Sequence, residues 1–212
     1  MDPAHHRDWD AHYAEGKSFR PLGDGERALL AGHAPPRPGS RALDVGCGLG
    51  ELARHLARTG YQVDAVDIAE SALALGRAIT TPPVTYLRCD IEQDDLAVLP
   101  HPPYDLITFR LSIAFIGDRS HVLRRLRERM TPDGTLCVIT PRADSVPESR
   151  RGISLDEAEI GLLAADWRQV VRYDAGRLAV LFLRDSPADQ GESLAGRRPC
   201  SRTAAPADRR TS

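Results

Sequence analysis

A short apolar run leads straight into three alternating glycines, Leu43-Asp44-Val45-Gly46-Cys47-Gly48-Leu49-Gly50, and this constrains the chain more than any other feature. The amphipathic segment from Glu51 to Thr59 begins where the run ends, so the stretch reads as a buried strand, a tight turn and a helix N-terminus. Glycine tolerates positive φ and lets backbone approach a ligand closely, and the first helical turn offers N–H groups without intrahelical partners. The spacing also discriminates between ligands. A dinucleotide fingerprint, G-x-G-x-x-G, needs a third glycine at position 51, and this chain has Glu51 there. A carboxylate at that place disfavours a pyrophosphate, although it suits the helix dipole. Asp44, two residues before the first glycine, suits a cationic amine better than a phosphate.

From Arg41 onward the pattern alternates. Strands are expected at 41–46, 61–67, 84–90, 104–110 and 135–140, with helices at 50–59, 69–79 and 118–130, which implies a parallel sheet. A helix at 156–165 is followed by two strand-like runs, 167–174 and 178–184. Their connection is too short for a parallel crossover, so they form an antiparallel hairpin. Ahead of this unit the sequence predicts a helix over 3–15, a loop, and a helix over 24–33, the whole of 1–40 forming a helical lid segment. Residues 41–185 make the main domain. Residues 186–212, rich in Ser, Pro, Gly, Asp and Arg, are expected to be disordered.

Composition narrows the partners. A chain of 212 residues with formal net charge -2 suits one domain and has no overall pull toward nucleic acid or anionic membrane. Cys47, Cys89, Cys137 and Cys200 show neither C-x-x-C pairs nor metal-ligand spacing, so no metal site is expected. The first residues carry no apolar signal region and no run approaches a membrane span, which points to the cytosol.

The acids come in register. Asp67 ends the second strand about 20 residues after the glycine turn, where a ribose-binding carboxylate is expected. Asp64 lies inside the same strand and is the poorer candidate. Asp90 ends the third strand, where its carboxylate can accept from an adenine amino group while the Ile91 N–H donates to the ring. Such strand ends are where open α/β sheets bind ligands.

In order and spacing, LDVGCGLG, VDIAESAL, CDI, YDLITFR and TPDGTLCVITP resemble the motifs of class I S-adenosylmethionine (SAM)-dependent methyltransferases of the small-molecule type, over roughly residues 41–184. The resemblance implies a Rossmann-like α/β fold with helices on both faces of a seven-stranded, mostly parallel sheet in the order 3-2-1-4-5-7-6, the last strand antiparallel. Carried over by position, the turn Gly46, Cys47, Gly48 and Gly50 would hold the methionine moiety, with Asp44 supporting its ammonium group. Asp67 would bond both ribose hydroxyls, Asp90 with Ile91 would frame the adenine, and Ile68 beside Asp67 would belong to the same cofactor-binding set. Such enzymes work largely by bringing the methyl group in line with a nucleophile.

The acceptor side carries fewer signals, and no catalytic residue is assigned. The tetrapeptide after the fourth strand is Arg110-Leu111-Ser112-Ile113, unlike the (N/D)-P-P-(Y/F) of amide and exocyclic-amine methyltransferases. His101-Pro102-Pro103-Tyr104 precedes that strand and reads as a turn. Arg110 leaves the strand toward the cleft, where it could hold a carboxylate of the acceptor or of the cofactor, or else form a surface ion pair. Residues 141–153 follow the fifth strand at the same end and could add contacts. On the N-terminal helix His5, Trp9, His12 and Tyr13 share one face, and WDAHYAEGK resembles the W-D-x-x-Y segment that closes over SAM in many small-molecule methyltransferases. A plain packing stripe is the competing reading. The arginines of 118–130 read as a solvated helix face. The function expected is methyl transfer to a small molecule; the alternatives are a peptide or protein side chain as acceptor, or SAM binding without transfer.

Overall fold

The computed structural model describes residues 8–17, 19–79 and 83–186. The expectations for His5, for the first residues of the N-terminal helix and for a disordered stretch from 187 onward lie outside these residues. Seven strands form one sheet: β1 (Arg41–Val45), β2 (Gln62–Asp67), β3 (Thr85–Arg88), β4 (Tyr104–Arg110), β5 (Met130–Pro141), β6 (Gln169–Ala175) and β7 (Leu178–Arg184). Their order is β3-β2-β1-β4-β5-β7-β6. β1 pairs in parallel with β2 and β4, whereas β7 runs antiparallel to both β5 and β6. The sheet order and the terminal hairpin are those expected from the sequence.

Side chains alternate across each strand, and this builds two cores. Leu43 and Val45 of β1 join a cluster with Val122, Leu126 and Ile160, from α5 (Arg119–Arg127) and α6 (Glu157–Ala164). Ala42 faces the other way, toward Leu30 of α2 (Asp24–His33) and Leu52 and Leu56 of α3 (Glu51–Thr59). Helices therefore cover both faces. A third, small cluster stands apart from these cores. It holds Tyr13, Ala69 and Ala72, with Trp9, Phe19 and Leu49 against them, and it joins α1 (Trp9–Ala14) to α4 (Glu70–Ala78).

Several boundaries differ from expectation for local reasons. The first helix begins at Trp9, because the Asp8 side chain accepts from Ala11 N and caps it there. β3 stops at Arg88, so Asp90 opens a turn rather than ending a strand. β5 starts at Met130, well ahead of 135, with an irregularity opposite Tyr104 and Leu106. The His101–Tyr104 segment is indeed a turn. Asp64, buried in β2, holds it by accepting from the Tyr104 hydroxyl (2.6 Å) and from His101 N (3.2 Å), with His101 Nδ1 2.8 Å from its other oxygen. Among the described residues, no helix is long and apolar enough to cross a membrane.

Candidate functional site

A cavity of about 410 Å³ opens at the carboxyl ends of β1, β2 and β4. The glycine turn forms its floor. Gly46 and Gly48 have φ of 66° and 51°, a region that side-chain-bearing residues avoid. The space beside them is taken by the protein itself: a Cβ on Gly46 would fall 2.5 Å from Ser112 Cβ, and one on Gly48 would fall 2.5 Å from the Tyr13 hydroxyl. The glycines thus allow β4 and α1 to close on the turn, in addition to exposing backbone to the cavity.

Asp67 anchors this floor. Its Oδ2 accepts from Gly48 N (2.8 Å) and its Oδ1 from Ala69 N (3.0 Å). Burial raises its carboxyl above the usual range, and the two amides act against that rise. Each oxygen retains acceptor capacity, so both can also receive ligand hydroxyls. Ile68, next along, is 40% exposed and lines the cavity. Asp90 and Ile91 line it as well. Asp90 Oδ1 accepts from Glu92 N (2.9 Å) and Gln93 N (3.3 Å), which shapes the turn. That turn is held from behind by Arg125 of α5, whose Nη1 donates to the carbonyls of Ile91 and Glu92 at 3.1 Å. Arg119 and Arg127 likewise bond loops and neighbouring acids of this chain. These three arginines are structural, where the sequence suggested only a solvated face.

Asp44 is placed differently. It lies on the α2–α3 side of β1, 1% exposed and off the cavity wall, with Oδ1 accepting from Thr108 Oγ1 at 2.7 Å. Its Oδ2 has no hydrogen-bond partner among the described residues. Burial pushes the carboxyl up to about 7, against the pull of Thr108 and Arg110. An acid that holds its proton more tightly when folded makes stability fall as pH rises. Here the loss runs from its ordinary 3.8 to about 7 and is complete above that. Asp44→Asn, uncharged and of equal size, should therefore melt several degrees above the wild-type apo protein at pH 8 and draw level only below the ordinary 3.8. About 1 kcal/mol moves Tm by roughly 2–4 °C in a domain of this size. A gap independent of pH would show that the folded state does not perturb this carboxyl.

Cys47 lines the cavity with a thiol that burial keeps protonated. Arg110 lines it too, but as part of a buried pair: Nε donates to Glu26 Oε1 (2.9 Å) and Nη2 to Arg20 O (2.9 Å), with the side chain 9% exposed. The ion pair that Arg110 forms is buried rather than on the surface, since Glu26 is itself buried, and Arg110 still borders the cavity. Glu51, the residue that spoiled the dinucleotide pattern, faces the cavity and accepts from Leu22 N at 3.0 Å.

The roof comes from α1 and the segment after β4. The Trp9 ring meets Phe115 edge-on at 4.7 Å and Phe19 at 6.0 Å. Tyr13 reaches the glycine turn, its hydroxyl kept protonated mainly by burial. His12 packs between these rings, 5.5 Å from Trp9 and 5.7 Å from Phe19, and is not on the cavity wall. Asp10 ties the helix to α4 by accepting from Ser71 N (2.9 Å) and Ser71 Oγ (2.8 Å). Residues 141–153 stay clear of the cavity; there Arg142 bonds Ser145 and Asp174. Sequence reasoning missed the wall residues Phe19, Arg20, Arg54, Ser112 and Phe115, which belong to no motif and are gathered only by the fold.

The donor set fits a nucleoside with a cationic or zwitterionic arm. Carboxylates of Asp67, Asp90 and Glu51 face the cavity, where they can accept from hydroxyl, amino and ammonium groups but would repel a pyrophosphate. Ile68 and Ile91 offer apolar surface to a base. Residues 43–136 match a family model described as a methyltransferase domain. Fold, site and domain match together define the class: over the matched residues the chain carries a methyltransferase domain with the architecture of the class I, Rossmann-like SAM-dependent enzymes. Within it, the chain is 32% identical to the malonyl-[acyl-carrier protein] O-methyltransferase of Enterobacter lignolyticus, over 58% of this chain and 47% of that one. It is 33% identical to the ubiquinone biosynthesis O-methyltransferase of Albidiferax ferrireducens, over 61% and 51% respectively. The chain spans about half the length of these curated relatives. The plantazolicin methyltransferase BpumL, solved with S-adenosylhomocysteine (SAH), shares the fold with a TM-score of 0.61 at 13% identity, over 75% of this chain and 80% of that one.

Proposed function

We propose that this chain transfers the methyl group of SAM to a small-molecule acceptor in the cytoplasm. The observation that carries the reading is the carboxylate-faced, apolar-flanked cavity at the strand ends, roofed by the aromatic residues of α1. Bound there, SAM supplies an electrophilic methyl group. In this reading Asp67 and Ile68 meet the ribose, and Asp90 and Ile91 frame the adenine. The turn of Gly46, Cys47, Gly48 and Gly50 faces the methionine portion, and Asp44 favours its positive charge from beneath. Trp9 and Tyr13 close over the cavity with His12 packed behind them, and Arg110 borders its far wall. The segment 1–40 acts as a lid on the 41–185 domain. A cavity of about 410 Å³ under the aromatic roof of α1 favours a small acceptor over a macromolecular one.

Calorimetry with SAM, SAH and NAD tests the cofactor. Micromolar binding of SAM and SAH with no response to NAD is expected, because Glu51 faces the place a pyrophosphate would take. Binding of NAD alone would overturn the reading. Incubation with SAM and separate pools of small molecules and peptides, followed by mass analysis, then tests the acceptor. Mass gain confined to the peptide pool would overturn the small-molecule assignment.

A further inference from the structure

The segment from Phe19 to Gly23 crosses the cavity edge as irregular backbone, and charged side chains hold its main-chain groups. Arg20 O accepts from Arg110 Nη2 (2.9 Å) and Leu22 N donates to Glu51 Oε2 (3.0 Å). Leu22 O accepts from Arg27 Nη2 (3.1 Å) and Gly23 N donates to Glu26 Oε2 (2.8 Å). Glu26 is the centre of this network. It is 3% exposed, and it also accepts from Arg110 Nε (2.9 Å) and pairs with Arg20. A carboxylate held this way fixes the plane of the Arg110 guanidinium, since the Nε–H is committed to Glu26 and one Nη2 hydrogen to Arg20 O. The Nη1 edge is then left beside Glu51, with Nη1 3.9 Å from Oε2. Both Arg110 and Glu51 line the cavity. A fixed cation and a fixed anion side by side match the carboxylate and ammonium of an α-amino acid.

We infer that Glu26, which is not itself on the cavity wall, is a positioning residue: it aims Arg110 beside Glu51 so that the pair receives an α-amino-acid zwitterion under the 19–23 strap. This rests on the cavity being the SAM site. The zwitterion has two possible sources there, the amino-acid portion of the cofactor or an acceptor that is itself an amino acid. Our inference places the cofactor's portion at the pair. The charge-assisted contact to the ligand carboxylate is the stronger element, because a guanidinium can bind it through two parallel hydrogen bonds.

The test compares SAH with methylthioadenosine, which keeps the adenosine and thioether and lacks the amino-acid end. Affinities of both are measured by calorimetry for the wild type and for Glu26→Gln, Arg110→Gln and Arg54→Gln, with thermal melts in parallel. Glu26→Gln should weaken SAH about fivefold and Arg110→Gln about tenfold, with methylthioadenosine binding unchanged in both and Arg54→Gln altering neither ratio. A merely structural Glu26 would lower Tm or weaken the two ligands equally, and that would overturn the inference. A ratio that collapses only in Arg54→Gln would overturn it as well, assigning the carboxylate to the other cavity-lining arginine. An unchanged ratio in all variants, with glycine or methionine competing for a separate site, would move the pair to the acceptor and overturn the cofactor placement. Failure of the wild type to bind either nucleoside would instead refute the SAM reading itself.

Discussion

Asp67→Ala is expected to weaken SAH binding about a hundredfold. Hydrogen bonds to a charged group contribute roughly 1.5–3 kcal/mol each and add incompletely, so losing a carboxylate that meets two ribose hydroxyls should cost about 2–4 kcal/mol. The structure adds a second consequence. Asp67 also accepts from Gly48 N and Ala69 N, so alanine leaves the glycine turn held to β2 only by Gly46 N and Cys47 N donating to Val66 O. Apo melting should fall by several degrees as well, and the full loss of affinity combines the missing contact with a loosened floor. Asp67→Asn separates the two, because the amide oxygen can still accept from one backbone N–H while the charge is gone. Titration calorimetry on both variants provides the check. Unchanged affinity would mean that the ribose is held elsewhere. Asp64 is then no substitute, since it is 1% exposed and engaged with His101 and Tyr104.

Trp9→Ala and Tyr13→Ala should each lower SAM affinity or turnover at least tenfold while moving the apo melting temperature little. Trp9 and Tyr13 belong to the small third cluster and to neither main core, so the sheet keeps its burial without them. Their rings roof the cavity, and an aromatic face near a sulfonium contributes about 0.5–2 kcal/mol in addition to excluding water. Tyr13 carries a further role, since its hydroxyl fills the space over Gly48. Hydrogen exchange should show residues 9–14 weakly protected in the apo protein and strongly protected with SAH. Variants that melt far below the wild type while keeping their affinity would identify the stripe as ordinary packing.

The glycine turn, the acids at the strand ends and the final hairpin were legible because each depends on neighbours in sequence. Strand alternation, glycine spacing and a connection too short to cross over are local facts, and together they specify a parallel sheet ending in an antiparallel hairpin, while the sheet order came through the resemblance to class I methyltransferases. Boundaries were less legible, because caps and registers decide them. Asp8 starts the first helix by bonding Ala11 N, and Asp90 falls past the end of β3 because the backbone turns to use its carboxylate. Asp44 looked like a cavity acid from its distance to Gly46. Alternation along β1 instead turns it toward α2 and α3, beneath the turn.

What only the tertiary structure decided is the cavity wall opposite Asp67 and Asp90. Glu26 in the sequence is an unremarked acid in the first turn of a helix, and Arg110 is a basic residue at a strand end. Their pairing across 84 positions, and the strap they hold, exist because β4 and α2 meet at the cavity edge. Arg125 becomes a support for the turn of Asp90 and Ile91 in the same way, through contact with carbonyls more than 30 positions away. By itself the sequence determined the class, through spacings that any local stretch of backbone must obey. The tertiary structure decided which charges face the ligand, because electrostatic partners are chosen by distance in space.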